Sequence, residues 1–171
     1  MIIRDEEETD IIAIRTVTTR AFATTDYSQK TEAAIIEALR ADGALCVSLV
    51  AVEDGEVVGH VGFSRVTIDG LSTHDWYGGG PLSVKPERHR RGIGSALMRA
   101  GIERLRSLGA GGCVLAGDLA YYSRFGFALS TRIVLPDFPP EHFLALSLNG
   151  DIPAGQVAYH PAFGIEPTSE A

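Results

Sequence analysis

The stretch Gly80-Pro-Leu-Ser-Val-Lys-Pro-Glu-Arg-His-Arg-Arg-Gly-Ile-Gly-Ser-Ala-Leu-Met-Arg99 carries the residue types that hold a small polyanion. It reads as a short apolar strand, a basic turn with two glycines, and an amphipathic helix. The first turn of a helix has backbone N–H groups without partners and lies at the positive end of the helix dipole, so it attracts anions. Gly92 and Gly94 let that backbone approach a ligand where a side chain would collide. Arg88, Arg90 and Arg91 add guanidinium groups suited to phosphate. The expected site is a pyrophosphate cradle on the amides of residues 90 to 95, which takes in Arg90, Arg91, Gly92, Ile93, Gly94 and Ser95. Two other phosphate-binding patterns fail here. No Gly-Lys-Ser/Thr follows a glycine at the P-loop distance, and Leu97 stands where a dinucleotide fingerprint needs its third glycine.

The elements that must position this turn follow from hydrophobic spacing. Ile93, Leu97, Ala100, Leu105 and Leu108 recur at helical intervals and assign one face of a helix over 92–108 to a sheet. Ahead of the turn, Trp76 to Val84 predicts a strand interrupted by Gly78-Gly79-Gly80-Pro81, which marks a bulge or a close approach to the backbone. Amides and carbonyls around Leu82, Ser83 and Val84 are then free to pair with a ligand instead of a strand. Upstream, Ile2-Ile3-Arg4 opens a strand, and Thr9 or Asp10 caps a helix through Ile11, Ile14, Val17 and Phe22. A second helix runs through Ala33, Ile36 and Leu39. Ala44–Glu53 and Val57–Ile68 form a hairpin across Asp54-Gly55. Downstream, Cys113–Ala116 is a buried strand and Asp118 caps a short helix ended by Gly126. Strands over 133–135 and 143–148 precede a Gly/Pro-rich tail over 150–171. The order predicts an α+β fold: a mixed, mostly antiparallel sheet with splayed central parallel strands, flanked by helices.

At 171 residues, with 45% apolar and 22% charged residues, the chain is expected to be a single soluble domain over 1–171. A net charge of −7 argues against a nucleic-acid binder. Yet residues 85 to 106 hold seven of the fifteen Lys and Arg residues and only Glu87 and Glu103 of the acids. A local basic patch on an acidic chain suits a small polyanionic ligand. No apolar run has the length of a membrane span, and the acidic N-terminus is no signal peptide, so a cytoplasmic location is expected. Cys46 and Cys113 lie in apolar runs and read as buried free thiols.

The glycine turn resembles motif A of the GNAT superfamily of N-acetyltransferases, Q/R-x-x-G-x-G/A. Gly92 and Gly94 match its glycines, and His89 stands at the Gln/Arg position. Asp118-Leu-Ala-Tyr-Tyr-Ser-Arg-Phe-Gly-Phe127 resembles the end of motif B, Y-x-x-x-G-F, with Tyr122 at the tyrosine. The Gly-Pro-Leu-Ser-Val-Lys-Pro segment and the tail around 155–163 are similar to a YhbS-like branch of predicted acetyltransferases. The resemblance implies a GNAT fold and acetyl-CoA as cosubstrate, with its pantetheine arm on the splayed strand at Leu82 to Val84. It implies no metal. The expected reaction is direct attack of a primary amine, of a small molecule or peptide, on the thioester, and a homodimer is compatible with it. The alternative is a module that binds acetyl-CoA and transfers nothing.

Acetyl transfer also needs a proton for the departing thiolate and a place for the amine's proton. Tyr122 is the family-matched acid, and Tyr121, about 100° around the same helix, is expected to pack. No carboxylate stands in the strand over 76–84. His60, in Val-Gly-His-Val-Gly on the preceding strand, is the candidate base acting through a water, and a primary amine that arrives neutral would need no dedicated base. His74 and Asp75 lie in a turn and are weaker candidates.

Overall fold

A computed structural model describes residues 1–164; residues 165–171 of the tail expected over 150–171 lie outside the described residues. The elements in chain order are β1 (Ile2–Asp5), α1 (Ile11–Phe22), α2 (Glu32–Ala41), β2 (Leu45–Glu53), β3 (Glu56–Arg65), β4 (Thr67–Ile68), β5 (Trp76–Val84), α3 (Ile93–Ser107), β6 (Gly112–Ala116), α4 (Leu119–Tyr122), β7 (Ile133–Val134), β8 (Phe143–Ser147) and β9 (Gly155–Ala158). Six strands form one sheet in the order β1-β2-β3-β5-β6-β8, antiparallel except for β5 and β6. The α+β expectation holds.

The parallel pair is short. Trp76, Tyr77 and Gly78 pair with Gly112, Cys113 and Val114, and the pairing stops there. Beyond it β5 stays on β3, while Leu115 and Ala116 of β6 pair only with β8. The cause lies in β5, where the four residues Gly79 to Leu82 lie opposite the three residues Val61 to Phe63 of β3. The extra residue at Gly80-Pro81 is a bulge, and it turns the strand away from its neighbour.

Helices cover both faces. Ile93, Leu97, Met98, Ile102 and Leu105 seat α3 on one face against Val61, Phe63 and Leu115. Gly101 admits the Phe63 ring there, since a Cβ would lie 2.2 Å from it. Leu108, expected on this face, ends the helix in solvent. On the opposite face, Ile14, Val17 and Ile36 of α1 and α2 pack on Val50 and Val57.

Several local readings change. Asp10 turns its carboxylate back to the Glu7 N–H at 2.7 Å and to Arg4, and makes no side-chain bond into α1. The strand expected over 57–68 divides at Val66, because β4 leaves to join β9 and β7 in a second, three-stranded sheet. Residues 155–158 of the predicted tail are thus built into the fold. Cys113 is buried, but Cys46 is exposed, since a register irregularity between Leu45 and Val47 turns it outward. No helix among the described residues is long and apolar enough to cross a membrane.

Candidate active site

The splay between β5 and β6 opens beside the start of α3, and the two share a cleft of about 550 Å³, within the size range of ligand sites. Leu82, Val84, Arg88, His89, Arg90, Gly92, Ile93, Gly94 and Ser95 line it from β5 and the turn. Ala21, Phe22, Thr25 and Tyr27 close it from the end of α1, and Tyr121 and Arg124 from the far side.

Two rows of backbone groups face this cleft. The Lys85 N–H donates to the Val58 carbonyl, so alternation along an antiparallel pair puts the Ser83 groups on β3 too. The N–H and C=O groups of Leu82 and Val84 therefore point the other way, into the splay. Of these, the Val84 carbonyl accepts from His89 Nε2 at 2.9 Å. His89 thus fastens the turn to the strand. The second row is the first turn of α3. Its first intrahelical bond runs from the Ala96 N–H to the Gly92 carbonyl, which leaves the Ile93, Gly94 and Ser95 amides without partners in the helix.

The two glycines do different jobs. Gly92 has φ +79 and open space around its missing side chain, so only backbone conformation demands glycine there. Arg90 takes a similar conformation at φ 65. At Gly94 a Cβ would lie 3.4 Å from the Tyr121 hydroxyl and 3.7 and 3.8 Å from Val84 and Leu82, ordinary contact distances, so the protein itself leaves room for a methyl group there and the position faces the cleft.

Other expected residues fall elsewhere. Arg91 is exposed and does not line the cleft, while Arg88 does, with a buried Nε that has no hydrogen-bond partner among the described residues. Ser83 borders the cleft, but its hydroxyl faces α1 at 3.2 Å from Thr18 and its backbone is committed to β3. Tyr121, expected to pack, lines the cleft with its hydroxyl 3.0 Å from Ser95 Oγ. Arg124, not singled out from the sequence, stacks on the Tyr121 ring at 4.3 Å and donates to its carbonyl. The i, i+3 spacing of these two, one on the one-turn helix α4 and the other in the 3-10 turn Ser123–Phe125 that follows it, was the available signal.

Tyr122 packs edge-on to Tyr121 and Phe127, beneath Gly117. Burial pushes its hydroxyl up to about 12, and the groups felt there are Tyr121, Tyr27 and Cys113. Cys113 sits at the root of the splay, with Sγ 3.3 Å from where a Gly79 Cβ would stand, and burial pushes its thiol up. Tyr122 thus packs against the core cluster under α3 and is not among the residues that line the cleft.

His60 is on the other face of the sheet. It is fully buried, and burial first and Arg40 second lower its ring to about 4, against an opposing pull from Glu6. The ring is neutral at neutral pH and does not line the cleft. His74 and Asp75 stay in a surface turn, with Asp75 paired to Arg65. Among the described residues no cluster of three His, Cys, Asp or Glu side chains could hold a metal ion.

Residues 11–127 match the model of the Acetyltransferase (GNAT) family. The chain is 37% identical over 133 residues to the uncharacterized N-acetyltransferase YhbS of Escherichia coli, covering 77% of this chain and 76% of that protein. A GNAT family acetyltransferase from Brucella melitensis, solved in complex with acetyl-CoA, superposes with a TM-score of 0.86 at 48% identity, over 95% of this chain and 97% of that one. YhbS from Escherichia coli in complex with CoA gives a TM-score of 0.86 at 32% identity, over 96% and 92%. With the splayed strand pair and the glycine turn already in place, these likenesses show that the chain belongs to the GNAT family of acetyltransferases.

Proposed function

We propose that the protein moves an acetyl group from acetyl-CoA to a primary amine of a small molecule or peptide, by direct attack of the amine on the thioester. The observation that carries this reading is the free edge of β5 at Leu82 and Val84, facing the unpaired first-turn amides of α3 across one cleft. The residues present fit the cosubstrate. A buried Arg88 Nε without a partner among the described residues, the exposed Arg90 and the α3 amides are donors, and no carboxylate among the described residues lines the cleft to repel phosphate. The amides of residues 90 to 95, with Arg88 and Arg90, would hold the pyrophosphate. The backbone of Leu82 and Val84 would hold the pantetheine arm, as an added strand would be held.

When bound, acetyl-CoA supplies an activated carbonyl. An unpaired β5 amide donates to the carbonyl oxygen as negative charge grows on it. Tyr122, which burial keeps protonated at neutral pH, donates to the departing sulfur. His60 is fully buried on the opposite face and does not line the cleft, so the amine's proton leaves to water. Membership of an acetyltransferase family favours this reading over a module that only binds.

The test is a screen of primary amines for acetyl-CoA-dependent release of free thiol. Release with at least one amine, absent without protein, is expected. Tight CoA binding with no release across a broad panel would leave the binding module standing instead.

A further inference from the structure

The arginines of the cleft differ from most others in the chain. Elsewhere on the surface guanidinium groups pair with carboxylates, as Arg15 does with Glu37, Arg65 with Asp75 and Arg104 with Asp5. Arg88, Arg90 and Arg124 line the cleft, and among the described residues none of the three is paired with a carboxylate.

Two carboxylates nevertheless stand beside the phosphate turn. Glu87 precedes Arg88 in the short 3-10 turn Pro86–Arg88 and lies three positions before Arg90. Glu56 begins β3, the strand that pairs with β5. Each is held by a cation that does not line the cleft. Arg20, near the end of α1, donates to Glu87 with both arms of its fork, Nη1 to Oε1 at 3.0 Å and Nη2 to Oε2 at 2.7 Å. Lys85 Nζ donates to Glu56. The Arg20 guanidinium holds the Glu87 carboxyl below the usual range, and Lys85 does so for Glu56, which also feels Arg88 and Glu87.

The Arg20–Glu87 pair adds little to stability, since its side chains are 46% and 51% exposed. Its consequence is for the neighbouring donors. A carboxylate and a phosphate compete for the same guanidinium fork, because each presents two oxygens to it. A free Glu87 would be tethered to Arg88 at high effective concentration, and a dissolved ligand would have to displace it.

We propose that Arg20 is a positioning residue for acetyl-CoA binding: by holding Glu87 against α1, it keeps Arg88 and Arg90 unpaired for the pyrophosphate. Lys85 does the same for Glu56 on the β3 side. The proposal rests on the phosphate cradle proposed above. Arg20 acts through Glu87 alone, so its importance disappears when Glu87 carries no charge.

The experiment is calorimetry with CoA on the full chain at one fixed ionic strength, and it needs no acceptor amine. Arg20→Ala should weaken CoA binding by about 3–10-fold with the melting temperature nearly unchanged. Arg20→Lys, which keeps a cation within reach of Glu87, should retain most of the affinity. Glu87→Gln added to Arg20→Ala should restore the affinity of the unaltered protein, because no carboxylate is left to compete. Unchanged affinity in Arg20→Ala overturns the proposal. So does a loss that Glu87→Gln fails to relieve, since Arg20 would then attract the ligand directly or hold the α1 wall by itself. Gly94→Glu separates this outcome from failure of the cradle. If Gly94→Glu abolishes binding while Arg20→Ala has no effect, the cradle stands and only the role of Arg20 falls. If neither changes the affinity, the cradle falls and the role of Arg20 falls with it.

Discussion

The two faces of the central sheet build their polar sites in opposite ways. On the α3 face the donors are backbone groups, the amides of Ile93 to Ser95 and the free edge at Leu82 and Val84. All of them come from 14 consecutive positions of one chain segment, 82 to 95. On the α1/α2 face the polar chain is made of side chains, and Glu6, Arg40, Ser48 and His60 arrive from four separate elements or loops. The α3-face groups are open to solvent and await a ligand, whereas His60 is sealed. A backbone-built site needs only the local conformation that places its amides. A side-chain-built site needs the whole sheet in register, because a one-residue slip of β2 against β3 would turn Ser48 to the opposite face.

The largest effect is expected on the α3 face, at Tyr122, which packs against that face's core cluster. Tyr122→Phe removes one hydroxyl and almost no volume, so turnover should fall by on the order of 10²–10⁴-fold with CoA affinity little changed. The loss should shrink with an acetyl donor whose leaving group is more acidic. Lowered melting temperature at unchanged kcat would make Tyr122 a packing residue and leave the splay without its acid.

Gly94→Glu tests the backbone-built side. Its side chain would enter the cleft between Tyr121, Val84 and Leu82 and bring a negative charge to the phosphate site. CoA affinity by calorimetry should fall by roughly 10²-fold or more, with the melting temperature retained because the position faces the cleft. Unchanged affinity would remove the cradle from this turn.

Arg88 and Arg91 give a smaller contrast. Arg88→Ala deletes an unpaired donor in the cleft wall and should weaken CoA binding by about 1–3 kcal/mol. Arg91→Ala, outside the cleft, should leave the affinity as it was. Equal effects from the two would mean that general positive charge, and not the site's geometry, attracts the ligand.

The smallest effect is in stability and concerns the buried side. The His60 ring has its proton affinity lowered from 6.5 to about 4 in the folded chain. The unfolded chain therefore binds a proton that the folded one refuses, and the stability present above pH 6.5 is lost as pH falls toward 4. Between pH 7 and pH 5 the protein should lose roughly 4–8 °C more in melting temperature than its His60→Gln variant. Parallel curves for the two would show that His60 is not the group being titrated.

The amino-acid sequence alone determined the order of the six long-sheet strands and their helices, the helix over 92–108, the interruption of the strand at Gly78 to Pro81 and the basic glycine turn, but not the second sheet of β4, β9 and β7. Each of these depends on spacing within one window of the chain, through helical periodicity, a strand-breaking Gly/Pro cluster or the unpaired amides of a helix start. Only the tertiary structure decided which of two adjacent tyrosines lines the cleft. A helix of one turn has too few residues to define a buried stripe, and contacts with Phe127 and Gly117 set its rotation. Nor could the sequence show that Cys46 faces solvent, that Ser83 serves α1, or that His60 joins Ser48 and Glu6. Those facts depend on strand register and on a bulge in β2, and both are set by pairing between segments far apart in the chain.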